Sequence, residues 1–345
     1  MDNKSGKRDI RLKRFVRASQ LVGLASGVAA AGLLAQRYRR PRDVRWFDHA
    51  HTLPHSMSSS FRVIDGIRIH YQEKHTTSKE SKEISNKETI ILLHGFCSSN
   101  YTWKDCYNSF VAAGYRVIAP DLKGFGFSEK PSDSKYSALD QVDLVVGLME
   151  SLKIDNATFV GNSYGGAISL ACAIKYPERV NRLVLLNAAH TDGAIPNFFR
   201  RTARAAELYG PTLFGSKTLI KLVMNNMYHN KSLITEERYE AYHRPVRSAA
   251  CQTAAFNTLR QWNLGWMRDK LKFIKHPTLV IWGEQDWLIP VSLGAKLHLQ
   301  IDSSEFVVIP ECGHLPQEER PEDTCSFIVD FCKRSQKLHH KRLIS

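Results

Sequence analysis

The sequence predicts an α/β fold in which a mostly parallel sheet carries helices on both faces. Short apolar runs such as residues 89–93 and 277–282 indicate strands that are buried on both faces. They alternate with helix-length segments, including the amphipathic residues 140–149. With 345 residues and 43% hydrophobic content, the chain is long enough to bury one full core.

The first elements of the predicted sheet follow a different pattern. Residues 61–70 contain two short strand-like runs joined at Asp65 and Gly66, a dipeptide that is typical of a two-residue hairpin turn. We expect this hairpin to form an antiparallel edge of the sheet. Residues 75–88 are polar and mixed in charge, without apolar periodicity, so we interpret them as a solvated loop and not as a site.

A Gly-x-Ser-x-Gly pentapeptide stands at residues 161–165, between the apolar run 157–160 and a small-residue helix pattern that begins at Gly166. A strand that enters a helix through so tight a turn needs glycine at the flanking positions, because glycine has no Cβ to clash. This context is typical of a nucleophile elbow, which projects a serine hydroxyl from the edge of a sheet. Ser163 is therefore the candidate nucleophile.

Two further residues suit the groups that activate a serine. A serine hydroxyl is inert near neutral pH and needs a base and an orienting acid. The candidate base is His314, on a loop just beyond the strand-like residues 306–309, and the candidate acid is Asp286, just beyond the strand-like residues 277–282. The chain order is Ser, Asp, His.

Candidates for an oxyanion hole also lie at strand ends. The tripeptide His94-Gly95-Phe96 follows the strand-like residues 89–93, and Tyr164 follows the candidate nucleophile. The backbone N–H groups of Phe96 and Tyr164 are suited to stabilise a developing alkoxide. Gly95 would let the backbone approach closely.

Together with Asp-Leu-Lys-Gly-Phe-Gly-Phe-Ser at residues 121–128, these motifs resemble the α/β-hydrolase fold superfamily, in its serine hydrolase branch, over about residues 60–332. The resemblance implies a mostly parallel, eight-stranded sheet with helices on both faces and a helical cap at about residues 190–272. It implies these roles: Ser163 the nucleophile, Asp286 the acid, His314 the base, and Phe96 and Tyr164 the oxyanion donors.

Four other polar residues near these motifs have structural interpretations. We expect His94 to be structural and Asp121 to cap a turn. Glu284 competes for the role of the acid, but it stands two residues before the position that the family uses. We expect His190 to line the pocket or to be solvated, and not to act as the base.

The cap region is rich in aromatic residues and arginine, for example at residues 198–201 and 259–262. We interpret these aromatic residues as cap core more readily than as substrate contacts. A Cys-x-x-Cys spacing, a phosphate-binding loop and a dinucleotide fingerprint do not occur in the sequence. We therefore predict no cofactor and no metal.

The net charge of +14 resides in the two tails. Residues 1–45 hold twelve Lys and Arg against three Asp, and residues 333–345 hold five Lys and Arg without an acid. The catalytic domain at residues 46–332 is consequently close to neutral and has no general attraction for nucleic acid. Anionic membrane surfaces suit the tails better.

Residues 18–36 form a run of 19 residues without a charge, flanked by basic clusters. As a helix this run would span about 28 Å, close to the hydrocarbon thickness of a bilayer. We predict that residues 1–45 associate with a membrane, as an anchor or as a surface segment. The alternatives are an organelle or export signal and a plain soluble helix. The seven cysteines are an odd number and form no recognisable disulfide framework, so they fit free thiols in a reducing compartment better than an exported protein.

The predicted activity is the hydrolysis of carboxylic esters, possible lipid esters among them, through an acyl-enzyme on Ser163. Haloalkane dehalogenases and epoxide hydrolases of the resembled superfamily place an aspartate at the elbow, so the serine argues against both. The sequence makes no prediction of the acyl chain, the alcohol or the oligomeric state.

Two alternative functions stay open. Gly-Asn-Ser-x-Gly-Gly is similar to the elbow of the C–C bond hydrolases of the meta-cleavage type, but that branch typically has a tryptophan after the catalytic histidine, where this chain has Leu315. Its cap also offers an arginine to the substrate carboxylate, for which this chain has the candidates Arg200, Arg201, Arg204 and Arg260. The second alternative is a small-ligand receptor with the hydrolase fold.

Overall fold

The structure is a computed structural model that describes residues 43, 45–50, 53–75, 88–194 and 215–344, with side chains up to residue 335. The uncharged run at residues 18–36, most of the predicted loop at 75–88 and the cap residues 195–214 lie outside the described residues. No helix in the described part of the chain is long and apolar enough to span a bilayer.

Eight strands of the described residues form one sheet in the order β1-β2-β4-β3-β5-β6-β7-β8. The pairs β1–β2 and β2–β4 are antiparallel, and all other neighbours are parallel. The strands are β1 (Ser59–Ile64), β2 (Ile67–Lys74), β3 (Thr89–Leu93), β4 (Arg116–Pro120), β5 (Ala157–Asn162), β6 (Val180–Leu186), β7 (Thr278–Gly283) and β8 (Ser304–Ile309). The predicted α/β fold with a mostly parallel eight-stranded sheet is confirmed.

The predicted hairpin forms the antiparallel edge. Ile64 of β1 pairs with Ile67 of β2, so the turn consists of Asp65 and Gly66 alone. Both turn residues have positive φ, 49° and 78°, as the favoured two-residue hairpin turn requires. The Asp-Gly turn therefore fixes which residues of β1 and β2 pair with each other.

Ten α-helices occur among the described residues. They are α1 (Trp46–His49), α2 (Tyr107–Ala112), α3 (Ala138–Ser151), α4 (Tyr164–Lys175), α5 (Lys217–Met227), α6 (Glu236–Val246), α7 (Ala249–Arg260), α8 (Val291–Gln300), α9 (Pro316–Glu319) and α10 (Pro321–Ile344). Helices α5 to α7 lie in the chain between β6 and β7, within the predicted cap. Helix α10 continues through most of the basic segment 333–345.

The core has two layers, one on each face of the sheet. In β3, Ile91 and Leu93 pack into the layer that contains side chains of α3 and α4, whereas Ile90 and Leu92 pack into the layer that contains side chains of α2 and α10. This alternation follows from the two-residue period of a strand. Because parallel strands share one carboxyl edge, the loops after β3, β5, β7 and β8 meet there.

Candidate active site

Ser163 occupies the turn between β5 and α4. Its backbone has φ 54° and ψ −114°, a region that residues other than glycine rarely occupy and that is common at functional sites. The turn is held by hydrogen bonds on both sides: the Ser163 N–H donates to Leu186 O at 3.0 Å, and the Ser163 carbonyl accepts from Ala167 and Ala189. These bonds stabilise the strained conformation.

The glycines of the pentapeptide allow the turn to pack against its surroundings. A Cβ on Gly161 would lie 2.4 Å from Gly165 O, and a Cβ on Gly165 would lie 2.1 Å from Leu93 O in β3. Both distances are too short for any side chain. The requirement for glycine at these positions is therefore steric, as the sequence predicted.

The His314 and Asp286 side chains form a buried pair. His314 Nδ1 donates to Asp286 Oδ2 at 2.8 Å, and the two side chains are 5% and 0% exposed. Asp286 also accepts from Asn187 Nδ2 at 2.6 Å and from the N–H groups of Leu288 and Ile289 at 2.8 and 3.0 Å. Because a carboxylate cannot donate, the proton of a neutral His314 lies on Nδ1, and Nε2 keeps the lone pair that a base needs.

Asn162 connects the nucleophile strand to the loop of the candidate base. Its Nδ2 group donates to the carbonyl oxygen of His314 at 3.1 Å and to that of Leu186 at 3.2 Å. The residue directly before Ser163 is thereby bonded to His314. The structure brings the three predicted triad residues to the same edge of the sheet, and their joint catalytic role stays a prediction.

The predicted oxyanion residues flank Ser163. Gly95 lies so close that a Cβ on it would be 3.3 Å from Ser163 Cβ, which places Phe96 beside the elbow. Tyr164 is the first residue of α4, so its N–H is one of the helix-terminal donors without an intrahelical acceptor. The partial positive charge of a helix N-terminus also favours an anion here. The role of both N–H groups stays a prediction.

Four aromatic side chains adjoin these donors, and we call Phe96, Phe125, Tyr164 and Trp262 the aromatic cluster. Trp262, which comes from the cap, stacks on Tyr164 with 5.0 Å between the ring centroids and meets Phe96 edge to face at 6.4 Å. Phe96 meets Phe125 edge to face at 5.8 Å. Phe125 and Tyr164 are fully buried, whereas Phe96 from the core and Trp262 from the cap are half-buried, and we call these two the apolar wall.

His94 is fully buried, and the backbone occupies both of its ring nitrogens. Nδ1 donates to Gly95 O at 2.8 Å, and Nε2 accepts from the Leu122 N–H at 2.9 Å. Burial lowers the pKa of the His94 imidazole. With no nitrogen left for a substrate, His94 has the structural role that the sequence suggested.

Asp121 is a buried carboxylate that holds its turn. It accepts from the N–H groups of Asn100 and Phe127 at 2.7 and 2.8 Å, and from His70 Nδ1 at 2.7 Å. Burial raises the pKa of Asp121, but His70 and these hydrogen bonds outweigh burial and keep it below its usual value. The turn-capping interpretation holds, and the buried pair with His70 adds to it.

Two other candidates make no hydrogen bond to His314 among the described residues. Glu284 is exposed and accepts from the side chain of Gln285. His190 is buried, its Nδ1 donates to Ala188 O at 3.3 Å, and burial lowers its pKa. His190 also lines a cavity of about 320 Å³ beside residues of α8. The acid that contacts His314 is Asp286.

Three polar residues of the site were not identified from the sequence: Asn162, Asn187 and Glu319. Asn187 directly follows β6, so its position at the carboxyl edge was a usable signal. Asn162 lies within the pentapeptide but was not assigned a role. Glu319 accepts from the nearby Gly313 N–H at 2.8 Å, but the sequence carries no signal for its other partners, the N–H groups of His229 and Asn230, which are 90 and 89 positions away.

Metal and thiol chemistry give no further candidates. Within the described residues, no group of three His, Cys, Asp or Glu side chains suits a metal ion. All seven cysteines are free thiols.

Comparison with known proteins gives one consistent family. A model of the alpha/beta hydrolase fold family matches residues 88–321. The uncharacterized hydrolase YugF of Bacillus subtilis (strain 168) is 31% identical over 273 residues, which cover 79% of this chain and 96% of that protein.

Two further similarities are to hydrolases whose names give a substrate. The 2-hydroxymuconate semialdehyde hydrolase of Pseudomonas putida is 34% identical over 259 residues, or 72% of this chain and 88% of that protein. The meta-cleavage product hydrolase CumD of Pseudomonas fluorescens IP01 superposes with a TM-score of 0.69 and 26% identity, covering 80% of this chain and 98% of that one. The chain belongs to the α/β-hydrolase fold family and is a hydrolase.

Proposed function

We propose that this hydrolase cleaves carboxylic esters through an acyl-enzyme on Ser163. The observation that carries the proposal is the chain of contacts from the elbow to the acid: Asn162 Nδ2 is 3.1 Å from His314 O, and His314 Nδ1 is 2.8 Å from Asp286 Oδ2. This chain of contacts connects the strained turn at Ser163 to the loop of the candidate base and to the candidate acid, and it supports nucleophilic catalysis.

The proposed reaction has two steps. Ser163 Oγ attacks the ester carbonyl carbon while its proton passes to His314 Nε2, and the N–H groups of Phe96 and Tyr164 stabilise the oxyanion. The alcohol leaves with that proton, so Ser163 holds the acyl group as an ester. Water, activated by His314, then releases the carboxylic acid and restores the serine.

The surroundings of Ser163 support a substrate with an apolar part next to the scissile carbonyl. The apolar wall formed by Phe96 and Trp262 carries no permanent charge. Arg260, a candidate partner for a substrate carboxylate, is exposed, and its guanidinium lies over the ring of Phe256 at 5.6 Å. Neutral esters fit such a wall better than substrates that require a cationic partner.

C–C bond hydrolysis of a meta-cleavage product is the second candidate. The 34% identity to the 2-hydroxymuconate semialdehyde hydrolase and the asparagine before Ser163 favour it. Leu315, where that branch typically has a tryptophan, argues against it. Arg200, Arg201 and Arg204 lie outside the described residues, so the structure neither provides nor removes a carboxylate partner there.

A substrate comparison separates the two candidates and the receptor alternative. We expect multiple turnovers of p-nitrophenyl esters from acetate to palmitate, with an optimum set by the apolar wall, and a much lower kcat/KM on 2-hydroxymuconate semialdehyde. The reverse order of kcat/KM would establish C–C hydrolysis instead. A single turnover on every substrate would indicate a receptor, because a receptor does not need to release its product and bind again.

We also propose that residues 1–45 bring the enzyme to a membrane surface, with an organelle or export signal as the alternative. Their net charge of +9 and the uncharged run at residues 18–36 support this. We expect the full chain to sediment with vesicles that contain anionic lipid and to be partly released by salt. A chain that stays in the supernatant with both anionic and neutral vesicles would contradict the proposal.

A further inference from the structure

The loop that carries His314 is bonded to the cap. The His314 N–H donates to Met227 O at 2.6 Å. Met227 ends the cap helix α5, and we call residues 227–230 the cap link. The backbone of His314 is therefore held from two sides, by Asn162 of the core at its carbonyl and by the cap link at its N–H.

Glu319 strengthens this connection with both carboxylate oxygens. Oε1 accepts from the Gly313 N–H at 2.8 Å, and Oε2 accepts from the N–H groups of His229 and Asn230 at 2.8 and 3.0 Å. One side chain thus binds the residue before His314 and two residues of the cap link. Charge-assisted bonds of this kind are stronger than those between neutral groups.

The loop that carries His314 and the cap link are in direct backbone contact at Gly313. A Cβ on Gly313 would lie 2.4 Å from Met227 O and 2.8 Å from His229 N. Because the two backbones touch directly at Gly313, a shift of the cap link must displace the histidine loop or break these bonds.

The neighbouring Glu318 fixes the rest of the cap to the core. Its fully buried carboxylate accepts from Tyr228 OH at 2.6 Å and from Thr102 Oγ1 at 2.5 Å, and it pairs with Arg238 Nε at 3.3 Å. Tyr242 OH donates to the same carboxylate. Three of these four partners belong to the cap, so the cap link cannot move independently of the helices around it.

We propose that Glu319 is a positioning residue that couples the position of the cap link to the alignment of His314. The inference rests on the proposed function, because it assumes that His314 activates Ser163. With the cap link in place, the Glu319 carboxylate holds the loop that carries His314 in the position from which His314 is proposed to activate Ser163. With the cap link displaced, its three hydrogen bonds to the His314 N–H and the Glu319 carboxylate break, and the base loses its alignment. A misplacement of about 1 Å is enough to lower a rate about 100-fold.

The variant Glu319→Gln tests the coupling. Its carboxamide has a single acceptor oxygen, so its NH₂ group must face either the Gly313 N–H or the two N–H groups of the cap link. Glu322→Gln is the matched control, since Glu322 is an exposed glutamate of α10. The primary measurement is the rate at which a fluorophosphonate phosphonylates Ser163 with loss of fluoride, because this reaction needs the serine and its base but no particular substrate.

We expect Glu319→Gln to lower the phosphonylation rate and the kcat for p-nitrophenyl acetate by about 10- to 100-fold, with KM little changed. Glu322→Gln should match the wild type. Counting active sites by the final extent of labelling restricts the comparison to folded protein. Glu319→Asp keeps two acceptor oxygens and should recover part of the rate, which a loss of general stability would not explain.

The outcomes separate this inference from the proposed function. Equal phosphonylation rates for the wild type and Glu319→Gln would overturn the coupling alone. A higher KM with unchanged kcat would also overturn it, because alignment of the base acts on kcat. A wild type that the fluorophosphonate does not label would overturn the proposed function, and the coupling with it.

Discussion

Ser163→Ala is expected to lower kcat for p-nitrophenyl esters by about four to six orders of magnitude. The rate that remains is the one that substrate binding and the oxyanion donors supply without a nucleophile. Alanine keeps the backbone contacts of the elbow, in which Ser163 N and O take part, so the fold should be unaffected. The acyl-enzyme cannot form without the hydroxyl. The measurement is kcat/KM across the ester series, together with labelling by the fluorophosphonate, which should disappear.

Ser151→Ala is the matched control for this prediction. Ser151 is an exposed serine at the end of α3, and its hydroxyl donates to Leu148 O. Its loss should leave both activity and labelling at the wild-type level. Ester hydrolysis that persists in Ser163→Ala would refute the acyl-enzyme mechanism, and labelling that persists would show that another residue is the reactive nucleophile.

Asp286→Asn is expected to lower kcat by about 10³- to 10⁴-fold. The carboxylate of Asp286 receives two donors on Oδ2 and two on Oδ1. A carboxamide has one acceptor oxygen, so its NH₂ group must face donors on one side or the other. If it faces His314, the ring has to take its proton on Nε2, which removes the base. If it faces the N–H groups of Leu288 and Ile289, the loop itself is destabilised.

Glu284→Gln provides the comparison that distinguishes the two acids. Glu284 stands two residues earlier, is exposed, and is the rival that the sequence left open. We expect its kcat to equal that of the wild type at pH 7. A large loss in Glu284→Gln beside a small one in Asp286→Asn would reverse the assignment and require a different partner for His314.

Much of the fold follows from signals that lie close together in the sequence. The Asp65-Gly66 turn, the apolar strands and the glycines around Ser163 each express a steric or burial rule that acts over a few residues. Because parallel strands share one carboxyl edge, the strand positions were also enough to bring Ser163, Asp286 and His314 to the same end of the sheet.

The supporting polar contacts did not follow from the sequence. Asn187 reaches Asp286 across 99 positions, Asn162 reaches His314 across 152, and Glu319 reaches His229 across 90. The partner of a single Asn or Glu cannot be predicted from the sequence around it, since its hydrogen bond depends on how separate elements are packed.

The sequence by itself therefore determined the fold, the elbow and the three candidate residues of the triad, because these depend on local sterics and on the periodicity of burial. Only the tertiary structure decided that Asp286 and not Glu284 contacts His314, that both ring nitrogens of His94 are occupied, and that the cap link is bonded to the His314 loop. Those features are hydrogen bonds between distant segments, and their geometry exists only once the elements have packed together.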